Sequence, residues 1–261
     1  RLMLTDADVE RWLREDVGHH DVTNDVPGET SGRLVAKESG VAAGVDAASA
    51  AFDYLDATVT ERVADGTAVE PGDALLRVAG PAQAVLRGER VAVNVAAHAS
   101  GVATRTAAAV AAAREVDDGV RIAATRKTTP GLRGVEKRAV AAGGGDTHRL
   151  DLSHMAMVKD NHVAELGLEG AIERVRERAS FATAIDVEVE DPSDAARAAE
   201  AGADVVLLDN MAPAETATAV ERVRDCDAEA LTEASGGITV ETVPDYAATG
   251  VDVISMGGLT H

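Results

Sequence analysis

Residues 125–140, TRKTTPGLRGVEKRAV, carry Arg126, Lys127, Arg133, Lys137 and Arg138, with Glu136 as their one carboxylate. So dense a run of cations in an acidic chain calls for an anion to face. The lysines sharpen the point. Of 25 Lys plus Arg, the lysines are Lys37, Lys127, Lys137 and Lys159, and three of these fall between 127 and 159. Lysine is a compact point charge and arginine a planar fork, so a position that stays Lys in a Lys-poor chain points to a need for the point charge. Other polar residues recur at or just after the ends of short apolar runs: Arg126 and Lys127 after RIAAT, Lys159 in MAMVK, Glu188 and Glu190 in AIDVEVE, Asp209 in ADVVLLD, Ser235 in EALTEAS and Ser255 in VDVISM. Glycine loops follow the last two runs, Ser235-Gly236-Gly237 and Ser255 with Gly257 and Gly258. Glycines there let backbone amides approach a phosphate. His148, His154, His162 and His261 are spread along the sequence, so a magnesium ion held by carboxylates and substrate phosphate fits better than a histidine metal cage.

The elements that must position these residues follow from period. LTDADVERWLREDVG places Thr5 and Asp8 at capping-box spacing ahead of Val9, Trp12 and Leu13, which predicts a short amphipathic helix. From Gly32 to Gly80, alternating segments broken by Gly, Pro and Asp-Gly predict a small sheet-containing domain. Pro81 to Val116 reads as an Ala-rich helical stretch interrupted at Ser100-Gly101. A domain boundary near residue 100 gives an N-terminal α/β domain over 1–100 and a catalytic domain over 101–261. In the second domain the six β-branched runs alternate with helical stretches such as LEGAIERVRERA and PSDAARAAEAGA, and THRLDL is the candidate for a seventh strand. That succession predicts a parallel βα barrel short of the full eight, with the polar residues on the rim that builds active sites in such barrels.

Composition narrows the partners. With 45 Asp plus Glu, 25 Lys plus Arg and a net charge of −20, the chain should repel nucleic acid and anionic membranes, which leaves small molecules. Its acidity, with 2% aromatic residues, is like that of proteins adapted to high salt. A hydrophobic content of 46% over 261 residues supports a sizeable core. The lone Cys226 excludes an internal disulfide framework and suits a reducing cytoplasm. With no secretory or membrane-spanning run, a soluble cytoplasmic protein is expected.

In order along the chain, EDVGHHDVT, GERVAVNVAAHASGVAT, TRKTTPGLR, EKRAVAAGGGDTHR, MVKDNH, VEVE, LLDNM, EASGGI and GVDVISMGGLTH resemble the motifs of the quinolinate phosphoribosyltransferase family, over essentially the whole chain. TRKTTPGLR and KDNH are the distinctive ones. The resemblance implies an N-terminal α/β sandwich-like domain and an incomplete, about seven-stranded, parallel α/β barrel. It also implies a homodimer, or a higher assembly built on it, whose sites borrow groups across subunits. The implied reaction joins quinolinate to phosphoribosyl pyrophosphate with Mg2+, giving nicotinate mononucleotide, pyrophosphate and carbon dioxide for NAD biosynthesis. Carried over position by position, Arg126, Arg149 and the partner subunit's Arg90 receive the dicarboxylate, with His148 and Lys127 beside them. Glu188 and Asp209 stand near the ribose hydroxyls and the metal, directly or through water, and Lys159 near the pyridine carboxylates. Ser235, Gly236, Gly257, Asn210 and His261, with Gly237, Ser255 and Gly258 of the same loops, hold phosphate. His154 departs from the Asp usual in relatives, GHHDVT from a glycine-rich form, and relatives continue beyond the position of His261.

Three rival readings are distinguishable. A related type II phosphoribosyltransferase acting on another acceptor would share the glycine loops, but TRKTTPGLR with His148-Arg149 favours a dicarboxylate. A non-catalytic sugar-phosphate binder gains nothing from Glu188 and Asp209 beside an anion. An aldolase using Lys159 as a Schiff-base amine would be revealed by borohydride trapping.

Overall fold

A computed structural model describes residues 4–261. The described residues divide into two compact units, one of residues 4–107 and 129–144, the other of 108–128 and 145–261.

In the first unit, helix α1 (Asp6–Val17) starts where its capping box dictates. The Asp8 N–H donates to Thr5 Oγ1 at 3.3 Å and the Asp8 carboxylate accepts from Thr5 N at 3.1 Å. Val9 and Leu13 are its buried face. A three-stranded antiparallel sheet runs in the order β1 (Glu29–Val35), β5 (Ala74–Pro81), β3 (Thr58–Arg62), and β2 (Gly40–Val41) pairs with β4 (Ala68–Val69). Alternation along β5 turns Leu76 and Val78 into a core shared with Val45 and Phe52 of α2 (Val45–Asp53) and Ala92 and Ala96 of the next helix.

That helix, α3 (Ala82–Arg114), runs unbroken for 33 residues, so the interruption expected at Ser100-Gly101 does not occur. Two local facts explain it. The Ser100 hydroxyl bonds to Ala43, accepting from its N–H at 3.0 Å and donating to its carbonyl at 3.2 Å, rather than competing for its own helix. Gly101 is exposed, and one glycine costs a helix only about 1 kcal/mol. Helix α4 (Arg133–Ala142) belongs to this unit although it follows the first barrel strand in sequence. It buries Glu136 and Lys137 completely. The basic run of 125–140 is therefore divided: Arg126 and Lys127 lie in the barrel unit, and Arg133, Lys137 and Arg138 on α4.

The second unit is the parallel layer. Its strands are β6 (Arg121–Ala124), β7 (Ala156–Val158), β8 (Ile185–Val189), β9 (Val205–Asp209), β10 (Leu231–Ser235) and β11 (Val253–Met256), the six runs expected from the sequence. They pair in the order β6-β11-β10-β9-β8-β7. The last strand thus pairs with the first, as in a sheet curling towards a barrel. THRLDL forms no strand; the chain adds only an isolated parallel bridge, Ala123 to Asp146, where a seventh strand would lie beside β6. Asp146 N donates to Ile122 O at 2.7 Å and the Asp146 side chain then turns back to accept from His148 N, which ends the pairing after one residue. Helices α5 (Asp160–Leu166), α6 (Leu168–Arg176), α7 (Pro192–Glu200), α8 (Pro213–Asp225) and α9 (Val243–Ala247) fill the crossovers. Val187, Val206, Leu208, Ala234 and Ile254 form one buried face of the strands, leaving Asp186, Glu188, Leu207, Asp209, Glu233, Ser235 and Ser255 on the other. Among the described residues no helix is long and apolar enough to cross a membrane.

Candidate active site

That second face, at the carboxyl ends of the strands, lines a cavity of about 330 Å³. Register assembles its wall. Glu188 pairs with Leu207 and Leu207 with Glu233; one step up, Asp209 pairs with Ser235 and Ser235 with Ser255. Arg126, Lys127, His148, Arg149, Lys159, Glu188, Asp209, Ser235 and Ser255 all line it. Met157, Leu207, Thr125 and Glu233 complete the lining.

The remaining sequence candidates lie elsewhere. Arg90 is exposed on α3 in the other unit. Asn210, Gly236, Gly237, Gly257, Gly258 and His261 sit in the loops beyond the strand ends and do not line the cavity. Asn210 has φ 55°, its N–H donates to Ser235 O at 2.9 Å and its side-chain amide to Asp209 at 2.7 Å. A Cβ at Gly236 would collide with Asn210, so this glycine lets two successive rim loops interlock. At Gly257 a Cβ would stand 3.0 Å from Lys127 Cδ, and Thr260 Oγ1 donates to Lys127 O at 2.6 Å. The last rim loop thus holds the segment that carries Arg126 and Lys127.

Charge in the cavity is only partly compensated. Lys159 Nζ is ion-paired with Glu188 at 2.6 Å, and His148 Nε2 with Glu233 at 2.7 Å. Burial, then the charge of Glu188, raises the Asp209 carboxyl above its ordinary range, against the hydrogen bond from Asn210. Burial, then the neighbouring charge of Arg126, lowers the Arg149 guanidinium. On the floor, Asp186 is fully buried, and burial followed by the charge of Glu233 pushes it up to about 8. Among the described residues, the buried side-chain polar atoms without a hydrogen-bond partner are Arg126 Nε, Arg149 Nε, Ser255 Oγ, both oxygens of Asp186 and Glu233 Oε1. All belong to this cavity or its floor. His148, Asp186 and Glu233 offer three ligand atoms within 4.8 Å of one another, with the Arg149 cation beside them.

Glu233 and Asp186 escaped the sequence reading, which stopped at strand ends. Each stands two residues before a rim residue, Ser235 and Glu188, and therefore on the same face; an acidic residue at that position of an apolar run was the available signal.

The cavity sets three unpartnered buried donors beside two lysines and a carboxylate pair. Comparison with known proteins identifies its kind. Residues 21–100 match the model of the quinolinate phosphoribosyl transferase N-terminal domain, and residues 102–261 that of its C-terminal domain. The chain belongs to the quinolinate phosphoribosyl transferase family. The probable nicotinate-nucleotide pyrophosphorylase [carboxylating] of Methanothermobacter thermautotrophicus is 44% identical over 97% of this chain and 93% of its own. The human nicotinate-nucleotide pyrophosphorylase [carboxylating] is 42% identical over 97% of this chain and 86% of its own. In fold, the chain matches the crystal structure of NadC from Streptococcus pyogenes at a TM-score of 0.90, with 38% identity over 99% of this chain and 94% of that one.

Proposed function

We infer that this chain is a quinolinate phosphoribosyltransferase: it joins quinolinate to phosphoribosyl pyrophosphate and yields nicotinate mononucleotide, pyrophosphate and carbon dioxide, a step of NAD biosynthesis. The single observation that carries the reading is the set of buried, unsatisfied donors Arg126 Nε, Arg149 Nε and Ser255 Oγ in one cavity of a family member. A buried donor without an acceptor costs about 1–3 kcal/mol, and a planar dicarboxylate relieves that cost at the arginines with paired charge-assisted contacts.

Arg126 and Arg149, with His148 and Lys127, receive the two carboxylates. The partner subunit's Arg90 completes the receptor in a homodimer with shared sites; this accounts for an exposed arginine on α3 that lies outside the cavity lining. Phosphate goes to the rim loops of Ser235, Gly236, Gly237 and Asn210 and of Ser255, Gly257, Gly258 and His261. As the bond from ribose C1′ to pyrophosphate breaks, the ring becomes oxocarbenium-like, and Glu188 and Asp209 face that charge as the pyridine nitrogen attacks. The nitrogen is then cationic and stabilises the electron pair left on the neighbouring ring carbon when the adjacent carboxylate departs as carbon dioxide; that pair then takes up a proton. Lys159, already paired with Glu188, neutralises charge nearby. That ion pair also argues against a Schiff-base role, which needs a free amine.

Magnesium fits Glu188 and Asp209. Two hard carboxylates, of which Asp209 is raised by burial and then by the charge of Glu188, suit a divalent cation bound to oxygen, directly or through water. When bound, it supplies charge neutralisation for the leaving pyrophosphate.

The test is to incubate the purified protein with quinolinate, phosphoribosyl pyrophosphate and magnesium in high salt and assay the products. Nicotinate mononucleotide with equimolar carbon dioxide is expected. Its absence, with the protein folded, would refute the reading.

A further inference from the structure

We propose that Glu233 is a positioning residue for quinolinate binding, holding the ring of His148 against the barrel wall through the 2.7 Å bond between its carboxylate and Nε2. The proposal rests on reading the cavity as the quinolinate site. His148 needs such a tether because it is not on a strand. It follows the bridge residue Asp146 by two positions, with φ 50°, a left-handed conformation that costs a non-glycine residue about 1 kcal/mol or more. The Asp146 side chain acts on its backbone, accepting from His148 N at 2.6 Å, whereas Glu233 bonds the ring itself.

Glu233 is the opposite kind of residue. It sits mid-strand in β10, paired on one side with Leu207 and on the other with Val253, and its side chain is 1% exposed. Its position is therefore set by the sheet. A carboxylate accepts hydrogen bonds and donates none, so the histidine proton belongs on Nε2, which fixes both the tautomer and which edge of the ring faces away from the wall. Asp186 cannot replace it, since neither of its oxygens makes a hydrogen bond. A charged, buried anchor also gives the ring one orientation before ligand arrives, so that binding quinolinate need not order it.

The experiment is a double-mutant cycle on the whole enzyme: Glu233→Ala, His148→Ala and the pair, with Glu233→Gln as the conservative variant. Quinolinate affinity is read by calorimetry, and KM for both substrates with kcat by turnover. Loss of a hydrogen bond to a charged group corresponds to about ten- to a hundredfold. Each single alanine variant should weaken quinolinate by about tenfold or more and leave the KM for phosphoribosyl pyrophosphate within about twofold. The double variant should be no weaker than His148→Ala alone, because Glu233 acts through that ring. Glu233→Gln, whose amide oxygen still accepts from Nε2, should keep most of the affinity. Additive losses, or equal weakening of both substrates, would overturn the positioning role while leaving the site reading intact. A wild-type protein that binds no quinolinate would overturn both. If Glu233→Ala does not fold, the 15N histidine spectrum of the wild type decides, since a His148 without a proton on Nε2 contradicts the proposal.

Discussion

Two glutamates of this chain are buried almost completely, each bonded to a histidine, and they lead different lives. Glu136, in the first compact unit, takes His98 Nε2 at 2.9 Å and the Thr129 N–H at 3.1 and 3.3 Å, so both its oxygens are engaged. Glu233, in the barrel unit, bonds His148 with one oxygen and leaves the other without a partner. The contrast extends to their surroundings. None of the buried unpartnered atoms among the described residues belongs to the first unit; all belong to the barrel cavity and its floor. A buried charge that is fully bonded pins a scaffold, here the turn after Thr129 and helix α4. A cluster left partly unbonded carries a cost that a ligand relieves, and this is how a binding site is told from a structural ion pair.

The strongest way to break that distinction is subunit complementation, which turns zero activity into measurable activity. Arg90→Ala and Lys159→Ala proteins, each inactive alone, should regain turnover on subunit exchange, since a heterodimer carries one site lacking neither group. Demonstrated heterodimers without recovery would refute the shared site. Next in size, Glu188→Gln and Asp209→Asn should lose about 10²–10³-fold in kcat while quinolinate binding holds, because their work is done chiefly in the transition state. Near-normal turnover in both would make them ordinary strand-end acids.

The scaffold side of the comparison gives a stability effect. Glu136→Ala empties a fully buried position and removes the bonds to His98 and the Thr129 N–H, and should cost about 2–4 kcal/mol in urea unfolding, with Glu136→Gln keeping much of the stability. Glu233→Gln should cost less than Glu136→Ala, because half of that carboxylate is unbonded. A smaller, pH-dependent effect concerns Asp186. Burial, then the charge of Glu233, pushes its carboxyl above the ordinary carboxylate range, up to about 8, so the folded state holds a proton that the unfolded state has released. Its contribution to stability is therefore complete below about pH 4 and declines as pH rises towards 8. In metal-free protein, the stability of Asp186→Asn relative to wild type should rise across that window. A difference independent of pH would mean that Asp186 is ionised in the fold throughout.

Much of this was legible in the sequence. Thr5 and Asp8 mark the start of α1 because a capping box is local chemistry, and the six barrel runs declare themselves because parallel strands buried on both faces read as apolar stretches. Arg126, Lys127, Lys159, Glu188, Asp209, Ser235 and Ser255 come together in the cavity because strand ends share one rim. What was not legible depends on pairing. The continuity of α3 through Ser100-Gly101 rests on a bond to Ala43, 57 positions away. The division of the basic run follows from α4 joining the first unit, and the floor of Asp186 and Glu233 from register, which composition does not reveal.

The most direct test of the central claim, that the orphaned arginine donors await two carboxylates, is calorimetric titration of quinolinate and nicotinate into the wild type and Arg126→Lys. Quinolinate should bind the wild type at least about tenfold more tightly than nicotinate, since the second carboxylate adds a charge-assisted contact of about 1.5–3 kcal/mol. Arg126→Lys, with its fork removed, should lose most of that preference. Equal affinities for the two acids in the wild type, or a preference unchanged in Arg126→Lys, would contradict the account.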